Sequence, residues 1–133
     1  MSVILIYVDA SVLIYAIVGK NAGPKTRALS ILADPARAFV ATEFLRLELL
    51  PIPTYFNRQR EVAFYERYFK AVSMWIDPNS IVQIAFDLAC KHGLGAMDAL
   101  HLAAAISAGA EFVSAEKPTK PIYSAYSKAV SIH

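Results

Sequence analysis

Six consecutive apolar residues, Val3-Ile4-Leu5-Ile6-Tyr7-Val8, run directly into a carboxylate at Asp9. A continuous apolar run of this length suits a strand buried on both faces, the position of a central strand in a parallel sheet. Parallel strands need long crossovers, usually helical, between them. The remainder of the chain offers such segments.

Ser11 to Val18 reads as a short helix or turn after that strand. Gly23-Pro24 opens a helix, with Pro24 suited to its first turn, and Asp34-Pro35 ends it after about Ala33. Arg37 to Ala41 reads as a second strand. Thr42 is placed as the N-cap of a helix through Leu50, broken by Pro51 and Pro53. Gln59 to Val72 is amphipathic, with Val62, Tyr65, Phe69 and Val72 on one face. Met74 to Ile76 is a candidate third strand. Ser80-Ile81-Val82-Gln83 resembles a capping box for a helix that buries Ile81, Ile84, Ala85 and Leu88 and ends near His92-Gly93. Gly95 precedes a helix from about Ala96 to Ala108, stopped by Gly109. Glu111 to Ser114 is a strand, Pro118 and Pro121 mark a loop, and Ala129 to Ile132 is a last short strand. Alternation of this kind predicts a three-layer α/β/α sandwich with a mainly parallel sheet of four to five strands, within one domain of 133 residues.

Four acids lie inside or beside apolar runs: Asp9, Glu48, Asp98 and Glu116. Carboxylates are rarely buried unless paired, hydrogen-bonded or metal-bound. In a parallel sheet the carboxyl ends of the strands form sites. Asp9 ends the first strand, Glu116 follows a later one, and Asp98 opens the helix that feeds that later strand. Glu48 lies about six residues into its helix, roughly 9 Å along the axis. Together they suggest a divalent-cation site. Each acid also has a plainer explanation: Asp9 and Asp98 as helix caps, Glu48 paired with a buried Arg, Glu116 as a solvated loop residue.

The segments Tyr7-Val8-Asp9-Ala10-Ser11-Val12-Leu13-Ile14, Ala41-Thr42-Glu43-Phe44-Leu45-Arg46-Leu47-Glu48-Leu49-Leu50, Met97-Asp98-Ala99-Leu100-His101-Leu102-Ala103-Ala104-Ala105 and Ala110-Glu111-Phe112-Val113-Ser114-Ala115-Glu116 resemble, in order and spacing, the PIN domain family of metal-dependent ribonucleases. The short form is most similar to the VapC toxins of prokaryotic toxin–antitoxin pairs. The resemblance implies a catalytic set of Asp9, Glu48, Asp98 and Glu116, with Asp9, Asp98 and Glu116 binding Mg²⁺ or Mn²⁺ and Glu48 binding metal or orienting the attacking water. It implies that Ser11, Ser114 and Thr42 support the acids by hydrogen bonds. It further implies in-line hydrolysis of RNA leaving a 5′-phosphate, a homodimer and an antitoxin partner. The chain departs from the family at its end, where Asp is usual and an Asp-rich stretch follows. Here Glu116 is followed by Lys117-Pro118-Thr119-Lys120-Pro121, which implies a longer reach to the metal or a weakened second metal site.

The chemistry suits these residue types. Mg²⁺ and Mn²⁺ prefer oxygen ligands, and a bound cation inverts the field that would otherwise repel a phosphodiester. Without metal, close carboxylates raise one another's pKa. Tyr55-Phe56-Asn57-Arg58-Gln59-Arg60 mixes aromatics with base as readers of single-stranded RNA do, so Arg58 and Arg60 are candidate substrate contacts; a solvated hairpin tip or an oligomer contact is the alternative. His101, one turn after Asp98, is a candidate metal or phosphate contact or else a packing histidine.

Bulk properties exclude less. The net charge of +2 neither requires nor forbids nucleic acid. An apolar share of 56% leaves room for a partner surface. Cys90 is the sole cysteine, expected to be buried, and an intrachain disulfide is impossible, so a cytoplasmic chain is the simpler expectation. No apolar stretch approaches the ~20 residues of a membrane span. Two other classes remain in competition: a PIN-like module that acts by binding RNA or protein, and a different α/β enzyme such as a phosphatase. The second lacks an Asp-x-Asp pair after the first strand.

Overall fold

The apolar run forms the middle of the sheet. A computed structural model describes residues 3–133, and in it β1 (Ile4–Val8) pairs in parallel with β2 (Arg37–Ala41) on one side and β4 (Glu111–Ser114) on the other. β3 (Met74–Trp75) and β5 (Ala129–Ser131) complete the order β3-β2-β1-β4-β5, every pair parallel. The expected four to five strands are five, and the sheet is parallel throughout.

The crossovers are helical: α1 (Ala10–Val18), α2 (Ala22–Ala33), α3 (Glu43–Leu49), α4 (Pro51–Tyr55), α5 (Gln59–Lys70), α6 (Val82–His92), α7 (Ala96–Ala108) and α8 (Pro121–Ala125). They cover both faces of the sheet. On one face Tyr7 lies in register with Val40 and Phe112, stacks on Phe112 at 6.0 Å, and turns its hydroxyl to His101 of α7. On the other, Phe39 packs at 4.9 Å against Tyr68 of α5. Tyr65, Tyr68 and Phe69 of α5 are buried, as an amphipathic helix on a sheet requires. Ala99, Ala103, Ala104 and Ala105 let α7 approach closely, and all are buried. Gly93 and Gly109 end α6 and α7 at φ of 68° and 66°, the left-handed conformation that favours glycine.

Several local expectations are corrected. Ser80 and Gln83 form no capping box: Ser80 Oγ donates to the Asp77 carbonyl in a 3₁₀ turn, Pro78–Ser80, and Gln83 donates to Asp87. α6 begins after that turn, burying Ile81 and Ala85 but leaving Ile84 36% exposed and Leu88 half-buried. Pro51 does not end helical structure. It takes the first position of α4, where its missing N–H costs nothing. The Pro118–Pro121 loop likewise leads into α8. Cys90 is exposed, on the outer side of α6. Arg37 bridges Glu111, at 3.0 Å, to Asp34, at 3.2 Å, at the amino edge of the sheet. Among the described residues no helix is long and apolar enough to cross a membrane.

Candidate active site

Asp9 is where the sheet becomes a site. Its N–H continues the β1 ladder by donating to Val113 O at 2.9 Å, and its side chain then caps α1, Oδ1 accepting from Ala10 N at 2.8 Å. Oδ2 accepts from two hydroxyls, Ser11 Oγ and Ser114 Oγ, both at 3.1 Å. Each serine also accepts from the backbone beyond β4: Ser11 from Ala115 N at 3.0 Å and Ser114 from Glu116 N at 3.1 Å. One carboxylate thus joins the ends of β1 and β4. The capping and site readings of Asp9 are not alternatives here, since separate oxygens carry them. Burial pushes its pKa up; its interaction with His101 and the two serine hydroxyls work the other way.

The other acids arrive from three directions. Asp98 lies in the first turn of α7, where the helix dipole favours a negative charge. Its pKa is nevertheless raised, first by burial and then by repulsion from Asp9 and Glu116, with Glu48 adding to it and His101 opposing. Glu116 follows β4. Its backbone is held on both sides, the N–H by Ser114 and the carbonyl by Tyr123 Oη and Ser131 Oγ, each at 2.7 Å. Glu48 projects from α3 to a charge-assisted hydrogen bond with His101 Nε2, its side chain 34% exposed.

His101 is 1% exposed and both ring nitrogens are engaged within the protein, Nε2 by Glu48 and Nδ1 by Tyr7 Oη at 2.5 Å. That leaves it no free nitrogen for a phosphate. Tyr7 Oη also meets Thr42 Oγ1 at 2.9 Å, and Thr42 caps α3 by accepting from Leu45 N at 3.3 Å. Thr42 therefore reaches the acids only through Tyr7 and His101. Arg58 lies over the Phe56 ring at 5.2 Å, in the corner between α4 and α5. Neither it nor Arg60 is among the charges acting on Asp9 or Asp98.

Among the described residues no group of three or more His, Cys, Asp and Glu side chains gathers tightly enough to hold a metal ion. The reason is visible: Asp9 is turned to its serines and Glu48 to its histidine. The donor set itself, four carboxylates with hydroxyls behind them, is the hard oxygen set that Mg²⁺ and Mn²⁺ accept, and Mg²⁺ commonly takes only one or two carboxylates and keeps water.

Sequence reasoning passed over Tyr7, Tyr123 and Ser131. A tyrosine within an aliphatic buried strand is a usable signal, because a buried phenol needs a partner. Tyr123 and Ser131 carried none.

Residues 6–118 match the family model described as PIN domain. Solved structures are similar over nearly the same span. A chain of a toxin–antitoxin complex from Klebsiella pneumoniae is 15% identical, covering 96% of this chain and 97% of that one with a TM-score of 0.69. A chain of VapBC2 from Rickettsia felis, in a structure bound to a DNA fragment from their promoter, is 13% identical, covering 85% and 88% with a TM-score of 0.65. PAE2754 from Pyrobaculum aerophilum is 18% identical, covering 99% and 92% with a TM-score of 0.58. At such identities these structures speak for the fold alone. No curated protein matches the chain.

Proposed function

The chain belongs to the PIN domain family, and on that premise we propose that it is a metal-dependent endoribonuclease, the toxin of a cytoplasmic toxin–antitoxin pair. What supports this reading is a set of carboxylates close enough to act on one another at the carboxyl edge of the sheet. The Asp98 pKa is raised first by burial and then by Asp9, Glu116 and Glu48, and a cation would relieve the repulsion among them.

Asp9, Asp98 and Glu116 are the residues that would hold Mg²⁺ or Mn²⁺. When bound, the cation offsets the repulsion of a phosphodiester, polarises its phosphoryl oxygen and makes water more acidic. Ser11 and Ser114 orient Asp9 Oδ2 by donating to it. Glu48 receives the proton of the attacking water at Oε2, since Oε1 is taken by His101. Arg58 and Arg60, beside the exposed rings of Tyr55 and Phe56, offer charge and stacking faces to a single strand entering from the α4–α5 corner.

Leu47, Ile52, Tyr55 and Phe56 remain 57–78% exposed on α3, α4 and the turn after them. An apolar surface of this kind supports a protein partner. The structure described as a toxin–antitoxin complex supports an antitoxin, and a second copy of the chain is the other partner we assign.

The test is cleavage of a labelled RNA by purified protein with Mg²⁺ or Mn²⁺, with Asp9→Asn alongside. Loss of metal-dependent cleavage in Asp9→Asn is expected. No cleavage with either metal, or cleavage that Asp9→Asn leaves intact, would falsify the nuclease reading. Glu116 in the place of the family's Asp favours one alternative, a weakened PIN module that acts by binding; it predicts RNA binding that survives Asp98→Asn without cleavage.

A further inference from the structure

Behind Glu48 lies an unbroken buried series of side-chain hydrogen bonds: Thr42 to Tyr7, Tyr7 to His101, His101 to Glu48. Thr42 and Tyr7 are fully buried and His101 is 1% exposed. The direction of each bond follows from one donor. Thr42 Oγ1 accepts from Leu45 N, and its own O–H must also be satisfied. Among the described residues the one acceptor it meets is Tyr7 Oη, at 2.9 Å. If Thr42 donates to Tyr7, Tyr7 has a single remaining direction for its own proton, towards His101 Nδ1. The Tyr7 hydroxyl is fully buried between these two partners, so its proton lies in that bond. Nδ1 must then be the bare nitrogen of the ring, and the N–H of a neutral His101 sits on Nε2, pointing at Glu48 Oε1. All the donors point the same way, from the α3 cap to the site carboxylate.

We propose that Thr42, acting through Tyr7, sets the Nε2–H tautomer of His101 and so holds the Glu48 carboxylate in its working orientation. Thr42, Tyr7 and His101 are positioning residues; none touches substrate. The same threonine begins α3, so the helix that carries Glu48 and the ring that aims it are referenced to one hydroxyl. The functional half of this inference rests on the assignment of Glu48 as the group that takes the proton of water; the tautomer does not.

The experiment is long-range ¹H–¹⁵N correlation on metal-free protein carrying ¹⁵N-histidine, which reports which ring nitrogen of His101 holds the proton. Wild type should show Nε2–H, and Nδ1–H would overturn the proposal. Glu48→Gln removes the carboxylate that could dictate the tautomer by itself, because an amide can donate or accept. The Nε2–H form should persist in Glu48→Gln and give way to a mixture in Glu48→Gln/Thr42→Val. Loss of Nε2–H in Glu48→Gln alone would show that Glu48, not Thr42, sets it. Because Thr42→Val also removes the α3 cap, Glu48→Gln/Tyr7→Phe gives a second cut in the series with the cap intact and should release the tautomer equally. In kinetics, Thr42→Val should lower kcat about tenfold at unchanged KM, as expected for a group that orients a functional side chain, and Thr42→Ser should recover it. Equal kcat in the two variants overturns the functional half. The spectra need neither metal nor RNA, so a protein that cleaves nothing refutes the nuclease reading while the tautomer is decided separately.

Discussion

Two buried tyrosines offer a comparison in which one chemical change should act in opposite directions. Tyr7 is 0% exposed and Tyr68 is 7% exposed, and burial raises both phenol pKa values. Tyr7 Oη links Thr42 to His101, whereas among the described residues Tyr68 Oη is buried without a hydrogen-bond partner. Tyr7→Phe keeps the ring that stacks on Phe112 but strands two groups, the Thr42 O–H and His101 Nδ1. An orphaned buried polar group costs about 1–3 kcal/mol, so the pair should cost about 2–6 kcal/mol. Tyr68→Phe instead removes a phenol that loses water on folding and gains nothing, and should stabilise by about 1 kcal/mol. At roughly 3 °C per kcal/mol for a chain of this size, Tm should fall by about 6–18 °C for Tyr7→Phe and rise by about 3 °C for Tyr68→Phe. Urea and thermal unfolding of metal-free protein at pH 7 measure both, with the slope on denaturant confirming that the unfolded state is unchanged. If both variants lose stability by similar amounts, the hydrogen-bond series is not what distinguishes the two rings, and the reasoning fails.

Stability should also depend on pH in a direction fixed by Asp9 and Asp98, whose folded pKa values lie above the ordinary 3.8. Between the ordinary and raised values the folded chain holds more protons than the unfolded one, so this contribution is complete below about pH 4 and is lost as pH rises through the folded values. The Tm of metal-free protein should decline across that window and be restored at its upper end by Mg²⁺ or Mn²⁺; a rise with pH in Asp9→Asn-sensitive fashion contradicts it. Arg37→Met should cost no more than about 1 kcal/mol in urea unfolding, because the ion pairs with Asp34 and Glu111 are partly solvated, with Arg37 23% exposed; a loss several times larger would mean the amino edge of the sheet depends on that guanidinium.

The sheet was legible because its code is short-range. Val3 to Val8 announces a doubly covered strand, and the breaks at Asp34-Pro35, Gly93 and Gly109 mark where crossovers end. The misreadings fall where one residue type serves two local geometries. Pro51 and Pro121 read as breakers, yet proline starts a helix as readily as it stops one. Ser80 has the right spacing to Gln83 for a capping box, but Asp77, three residues earlier, captures the Ser80 hydroxyl through its carbonyl. In the site, the acids stood out as polar residues beside apolar runs, and Ser11 and Ser114 came with the family resemblance. The hydrogen bonds of Tyr7 did not, because its partners Thr42 and His101 lie 35 and 94 residues away and nothing local points to them. Arg58 and Arg60 were picked out by composition, and the fold sets them at the α4–α5 corner beside the exposed rings of Tyr55 and Phe56.

The serine bonds that join the ends of β1 and β4 have a consequence for synthesis. Asp9 and Ser114 are separated by 105 residues. At about 5–20 residues per second a ribosome needs roughly 5–20 s to extend the chain from one to the other. Throughout that interval Asp9 is already made while Ser114 and Glu116 do not yet exist. The carboxylate edge therefore cannot assemble on a half-made chain, and whatever reaction it supports is withheld from the ribosome that is producing it until the second half of the sheet has been delivered.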